Sequence, residues 1–302
     1  MRRKIVLQGG TALTVSLPSK WARRFNLAKG SEVEVKEEGD KVVVQALMDA
    51  GIEKTAIDLS GVDPSCIKWF VTTAHKKGYD EVLFEYDTPE AVEQVQKVTQ
   101  TITLGFEMVD QKENSVTVKN IAGPLDSEFD SILRRIFLII QSLSQGILDA
   151  LEKEQFAKLG ELALLDTTVN KLVTFCQRIL NKRGYPDYKK TCFLYVIIWQ
   201  LEKVSDKLRD FSLSLHNRKQ RVPSEVLELY RLAQQILEIQ YHLVYTFDKE
   251  ELNRLSAIHR EIEERGSKLL EKSTKDNLSI VFVMDIADRT AVLTSSVIGL
   301  HI

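Results

Sequence analysis

The chain has 302 residues, 44% hydrophobic and 28% charged, with a formal net charge of −2. This is an ordinary globular composition; it excludes a strongly basic or acidic chain, and the length allows two or three domains of roughly 100–150 residues. The charge is unevenly spread. Residues 1–48 carry nine Lys/Arg against five Asp/Glu, residues 49–123 seven against thirteen, and the remainder twenty-five of each, so a small basic module, the kind of patch an anionic partner reads, precedes an acidic one and a neutral one.

Residues 4–48 are strand-like. "KIVL", "ALTVSL", "EVEVKE" and "KVVVQA" alternate apolar and polar residues, with turn residues at Gly9-Gly10 and Gly39-Asp40. A short basic helix is predicted between the second and third strands. Pro18 suits its first turn and Gly30 its C-terminal cap, and it carries Lys20, Arg23 and Arg24 beside Trp21 and Phe25. Residues 54–121 switch between the two periods. "TAIDLS" is a strand, Asp63-Pro64 opens a helix that Gly78 closes, "EVLFEY" is a strand, Thr88-Pro89 opens a second helix, and "FEMVD" and "SVTVKNI" form a hairpin about "QKEN". The order is βαβαββ, a small α+β domain.

Gly123-Pro124 marks the next boundary, and everything beyond it reads as helix, near 125–153, 155–182, 188–216, 224–247, 249–273 and 276–300. Two groups of three helices, 125–216 and 224–302, suggest tandem three-helix bundles. A weak internal repeat supports the pairing: "QLEKVSDKLRDFS" (200–212) resembles "FVMDIADRTAVLT" (282–294), matching Asp206 with Asp288.

Cys66, Cys176 and Cys192 stand alone in apolar stretches, which predicts buried thiols and a reducing compartment. The start "MRRKIVLQGG" has no apolar signal-peptide run, and runs such as "CFLYVIIW" are shorter than the ~20 residues a bilayer needs, so a cytoplasmic protein with no membrane span is expected. No nucleophile elbow, phosphate-cradling glycine loop or zinc-protease motif is present, and an enzyme is not expected.

A module of four short strands and one short helix buries little surface alone. The stretch "QGGTALTVSLPSKWARRFNLAKGSEVEVKEEGDKVVVQ" resembles the SpoVT-AbrB/MazE-type swapped-hairpin domain. The resemblance implies a homodimer in which two chains interleave hairpins into one β-barrel, with a basic face on double-stranded DNA. That family often places a basic side chain on the strand before the Pro. Here Thr14 and Ser16 stand there, which moves the weight to Arg2, Arg3, Lys4, Lys20, Arg23 and Arg24. Lys and Arg at such a face neutralise phosphates and release counterions.

The helical part resembles PhoU-type phosphate-uptake regulators. "LEKVSDKLRDFS" is similar to the helix that carries a Glu, three residues and an Asp in that family, with Glu202 and Asp206 in those places. The facing helix, "LLDTTVN", offers Asp166, with Asn170 where a carboxylate is often found. In the second repeat Asp288 matches, Met284 replaces the Glu, and His259 and Glu263 fall opposite. The resemblance implies a divalent or ferric ion on the bundles, held in the first repeat by Asp166, Glu202 and Asp206 and in the second at Asp288, where one Glu is missing; carboxylates at i and i+4, such as Glu202 and Asp206, share a helix face. The bland alternative is a solvated face, because Lys203, Lys207 and Arg209 surround the pair; His259, beside Arg260 and Glu261, reads as a surface residue.

The whole order is similar to archaeal PhoU-like proteins fused to an AbrB-type domain. It implies a DNA-binding regulator of phosphate uptake with a sensory or adaptor region. The rival is an adaptor that docks on a phosphate-transporter ATPase or a sensor kinase and uses the barrel only to dimerise. An antitoxin fits less well, because such proteins usually end in a short disordered toxin-binding tail.

Overall fold

The computed structural model describes residues 2–46, 52–122, 128–272 and 276–302, which fall into two compact units, Met1–Lys54 and Thr55–Ile302. The predicted boundary at Gly123-Pro124 lies outside the described residues.

The first unit is two separate antiparallel hairpins joined by a helix. Strands β1 (Val6–Gln8) and β2 (Ala12–Thr14) pair around Gly9 and Gly10, both at positive φ, a conformation that costs glycine little. Helix α1 (Ser19–Arg24) follows Pro18, and β3 (Val33–Glu38) pairs with β4 (Lys41–Ala46). Val6, Leu7, Leu13, Val15, Val35 and Val42 are all exposed. Two lone hairpins have too few neighbours to cover their own apolar side chains, and a two-stranded ribbon is marginal in water.

From Lys54, the last residue of the first unit, the chain runs into the second with the expected βαβαββ order: β5 (Lys54–Asp58), α2 (Pro64–Lys77), β6 (Glu81–Glu85), α3 (Pro89–Thr101), β7 (Phe106–Lys112) and β8 (Ser115–Asn120). The sheet order is β5-β6-β8-β7. Local chemistry sets the helix ends. The Asp63 carboxylate accepts the Ser65 amide at 2.8 Å, Thr88 Oγ1 accepts that of Ala91, and Gly78 closes α2 at φ 98°. The core of this layer comprises Leu59, Ile67, Val71, Val82, Phe84, Val95, Phe106, Val116 and Val118.

The helices follow as α4 (Phe129–Glu152), α5 (Phe156–Leu162), α6 (Leu165–Arg183), α7 (Tyr188–Arg218), α8 (Ser224–Tyr245), α9 (Lys249–Glu271), α10 (Asn277–Ala291) and α11 (Leu293–Ile298). The second and sixth predicted helices are each broken, at Ala163–Leu164 and at Val292. One continuous apolar core runs through both helix groups; Phe211 of α7, for example, packs on Tyr230 of α8 and Phe282 of α10. Helix α4 is long and apolar enough to cross a membrane by length and composition. Its Leu133, Ile136, Phe137, Ile140, Leu143 and Ile147 are buried in that core. Its apolar run is interrupted by Asp130, Arg134, Arg135 and Asp149.

A polar lock ties the α+β layer to the bundle. Buried Arg178 of α6 donates to the carbonyls of His75 (3.0 Å) and Tyr79 (2.6 Å) and to Asp80 Oδ1 (2.7 Å). Thr174 Oγ1 donates to Ile102 O, and Asn181 to Lys76 O. The bonds to His75 O and Lys76 O engage C-terminal carbonyls of α2, and the bond to Ile102 O engages the C-terminal end of α3, where a helix leaves carbonyls without intrahelical partners.

Candidate functional site

The basic site is built on α1. Trp21, Ala22 and Phe25 are half-buried, with the two rings 5.2 Å apart, while Lys20, Arg23 and Arg24 are exposed. Spacing at i, i+3 and i+4 sets the three cations on one face, and the Arg24 guanidinium lies 5.8 Å from the Phe25 ring centroid. Arg23 Nε donates to Ser19 O. Arg24 Nη2 pairs with Glu53 Oε1 at 2.8 Å, so its charge is partly spent within the unit. Arg2, Arg3 and Lys4 are exposed just ahead of β1. Among the described residues, Arg2, Arg3, Lys4, Lys20 and Arg23 form no ion pair with a carboxylate, which leaves them open to an external anion. Thr14 does not face that partner freely, because its Oγ1 donates to Val6 O across the hairpin.

The carboxylates occupy two places in the bundle. In the first, Asp166 of α6 is buried; it accepts Ser205 Oγ (2.7 Å), Asn170 Nδ2 (3.0 Å) and Arg209 Nη1 (2.7 Å). The same Arg209 nitrogen reaches Asp206 at 2.6 Å, and Lys203 bridges Asp206 (3.1 Å) and Glu202 (3.5 Å). Burial opposes the Arg209 charge, but its bonds to Asp210, Asp166 and Asp206 outweigh it and hold the guanidinium pKa above its ordinary value. Asp288 pairs with His259 instead, whereas Asp166, Glu202 and Asp206 surround two protein cations, Arg209 and Lys203. This arrangement does not fit a metal ion, because the space between the carboxylates is filled by Arg209 and Lys203.

The second place has a different donor set. His259 and Glu263, one turn apart on α9, meet Asp288 of α10, with Nε2 2.9 Å from Asp288 Oδ1 and Nδ1 4.0 Å from Glu263 Oε2. One donor atom from each of the three lies within 4.8 Å of the others. An imidazole with two carboxylates is a donor set that zinc, manganese or iron accepts, and these residues fit such an ion. His259 is therefore paired rather than an isolated surface group. The clue was already present: His259 and Glu263 fall opposite Asp288 when the repeats are overlaid.

Comparison with known proteins supports the first unit alone. Residues 6–50 match the family model described as antidote-toxin recognition MazE, bacterial antitoxin. No curated protein and no solved structure matches the chain.

Proposed function

We propose that the protein is a DNA-binding transcriptional regulator. Its two hairpins are completed by those of a second copy, and its helical unit serves as a sensory or adaptor region. The observation that carries this reading is α1: an exposed face of Lys20 and Arg23, without internal ion pairs, on a module whose strands leave their apolar side chains uncovered. The MazE match over residues 6–50 supports a regulator of the DNA-binding or antitoxin type. The link to phosphate uptake, and to a transporter ATPase or sensor kinase as partner, rests on the resemblance of "LEKVSDKLRDFS" and the tandem helix groups to PhoU-type proteins. No residue takes a nucleophile's role in this account, and the protein is read as acting by binding.

The matched family's description favours a second reading, an antitoxin whose helical unit contacts a toxin. Selection of bound DNA from random fragments of the source genome, at about 50 mM salt, separates the readings. Enrichment of discrete fragments that is lost in Arg23→Glu supports the regulator. Absence of any enrichment by the folded wild-type chain overturns it.

A further inference from the structure

Helix α2 gives Ile67, Val71, Ala74 and His75 to the core and leaves Trp69, Phe70, Thr73 and Lys77 exposed. Phe70, Thr73 and Lys77 follow each other at three and four residues, so they share one face. With Thr55 and Ile57 of β5 these side chains line a groove of about 420 Å³, and every residue that lines it belongs to the second unit. Trp69 is 59% exposed and Phe70 38%. Two large aromatics left in water on a concave surface are the lining of a binding site more often than of a bare helix. The volume is within the range of sites that hold a small organic molecule.

The charge at the groove has one sign. Lys77 Nζ lies 5.4 Å from the ring centroid of Tyr79, which also lines the groove, and Lys68 Nζ lies 5.5 Å from that of Trp69. No carboxylate lines the groove, and among the described residues neither lysine forms an ion pair. The hydroxyls of Thr55 and Thr73 make no hydrogen bond among the described residues. This is an exception in a segment, 49–123, that carries seven Lys/Arg against thirteen Asp/Glu. Tyr79 is held in place, because its carbonyl accepts Arg178 Nη1 at 2.6 Å. Apolar walls beside a cation and an unused hydroxyl fit a flat apolar body that ends in an anion. A cationic ligand would meet two ammonium groups and no carboxylate. A neutral one would leave Lys77 without a counter-charge, and a small inorganic anion would leave both aromatics uncovered.

We propose that this groove binds a small aromatic carboxylate, whose ring covers Trp69 and Phe70 and whose carboxylate accepts from Lys77 Nζ and Thr73 Oγ1, one turn apart on α2. The site lies wholly within the α+β layer and does not depend on DNA binding by the first unit.

The test uses the full chain labelled with fluorotryptophan, in which Trp21, Trp69 and Trp199 each give a fluorine resonance, assigned with Trp21→Phe, Trp69→Phe and Trp199→Phe. The probes are naphthoate, neutral naphthamide and cationic naphthylmethylamine. Naphthoate should shift the Trp69 resonance alone and saturably. It should bind about fivefold tighter than naphthamide, the upper end of what an exposed charge pair contributes. Lys77→Gln should remove that difference by weakening naphthoate and leaving naphthamide unchanged, while Lys97→Gln, an exposed lysine of α3, changes neither. Raised salt should weaken naphthoate and not naphthamide, a reading that needs no variant. Equal affinity for naphthoate and either of the other probes overturns the inference. So do parallel shifts at all three tryptophans, or no shift with naphthoate at its solubility limit. A chain that takes up naphthoate at Trp69 but binds no DNA supports the inference and counts only against the regulator reading.

Discussion

His75 shows how a single buried residue is made structural rather than catalytic. It is fully buried in the last turn of α2, its ring edge-on to Phe106 of β7 at 4.8 Å, and its Nε2 lies 2.9 Å from Leu104 O. Nε2 is the donor in that bond, which leaves Nδ1 as an acceptor with no partner among the described residues. Desolvation is the main cause of a pKa lowered to about 3, with Arg178 and Lys76 adding to it against the Leu104 bond. The unfolded chain therefore takes up a proton near pH 6.5 that the folded chain refuses. Stability should be fully present above that pH and fall as the pH drops toward about 3, by up to about 1.4 kcal/mol per unit from this group. Urea unfolding at several pH values checks this: His75→Gln should be less stable at neutral pH, with a shallower acid slope than the wild type. At the same scale, Arg209 and His259 divide the two carboxylate groups. Any zinc that the chain takes up is expected at His259, Glu263 and Asp288. Elemental analysis should show it lost in His259→Ala and retained in Asp206→Asn, whose carboxylate faces Arg209 and Lys203 instead. Retention in His259→Ala would refute that assignment.

The ends of α2 and α3 were the most legible, because their chemistry is local, whereas α1 ends at Phe25 and not at the predicted Gly30, and β2 stops at Thr14, short of the predicted Leu17. Asp63-Pro64, Thr88-Pro89 and Gly78 each sit where a cap was expected, since an Asp or Thr side chain reaches amides two or three residues on without help from the rest of the fold. Gly78 tests this reading. It has φ 98°, and a Cβ there would lie 3.2 Å from Lys182 Cβ. Gly78→Ala should therefore cost about 1–2 kcal/mol for the left-handed backbone, and more if Lys182 cannot yield. A denaturant melt within a few tenths of a kcal/mol of wild type would contradict it. Elements that depend on distant partners were less legible. The breaks at Ala163–Leu164 and Val292 carry no Pro or Gly and follow from how the pieces pack on α7. Likewise, Arg209 is visible in sequence only as one of several cations near Asp206; that its guanidinium lies between Asp206 and Asp166, 40 residues away, is a property of the α6–α7 packing.

At the scale of the whole molecule, the sequence divides the chain by composition, whereas the structure divides it by contact. Three segments differ in period and charge, the last holding two helix groups, yet the α+β layer and both helix groups share one unit, because Arg178 and Thr174 bond across the junction and the apolar core continues from α4 to α11. The basic hairpins form a unit of their own, with charge on α1 and exposed apolar side chains on the strands. The central claim is that this unit, doubled by a second copy, binds DNA through its phosphates. The direct measurement is the affinity of the full chain for its selected fragment as salt is raised. With Lys20 and Arg23 from each copy the log–log slope should be about −4, and it should approach −9 if Arg2, Arg3 and Lys4 also engage. Glu53→Gln, which releases Arg24 from its 2.8 Å partner, should steepen the slope by about two, one phosphate per protomer. Arg23→Glu should abolish binding while the dimer and the helical unit stay folded. A slope near zero, or Arg23→Glu binding as tightly as the wild type, would contradict the account.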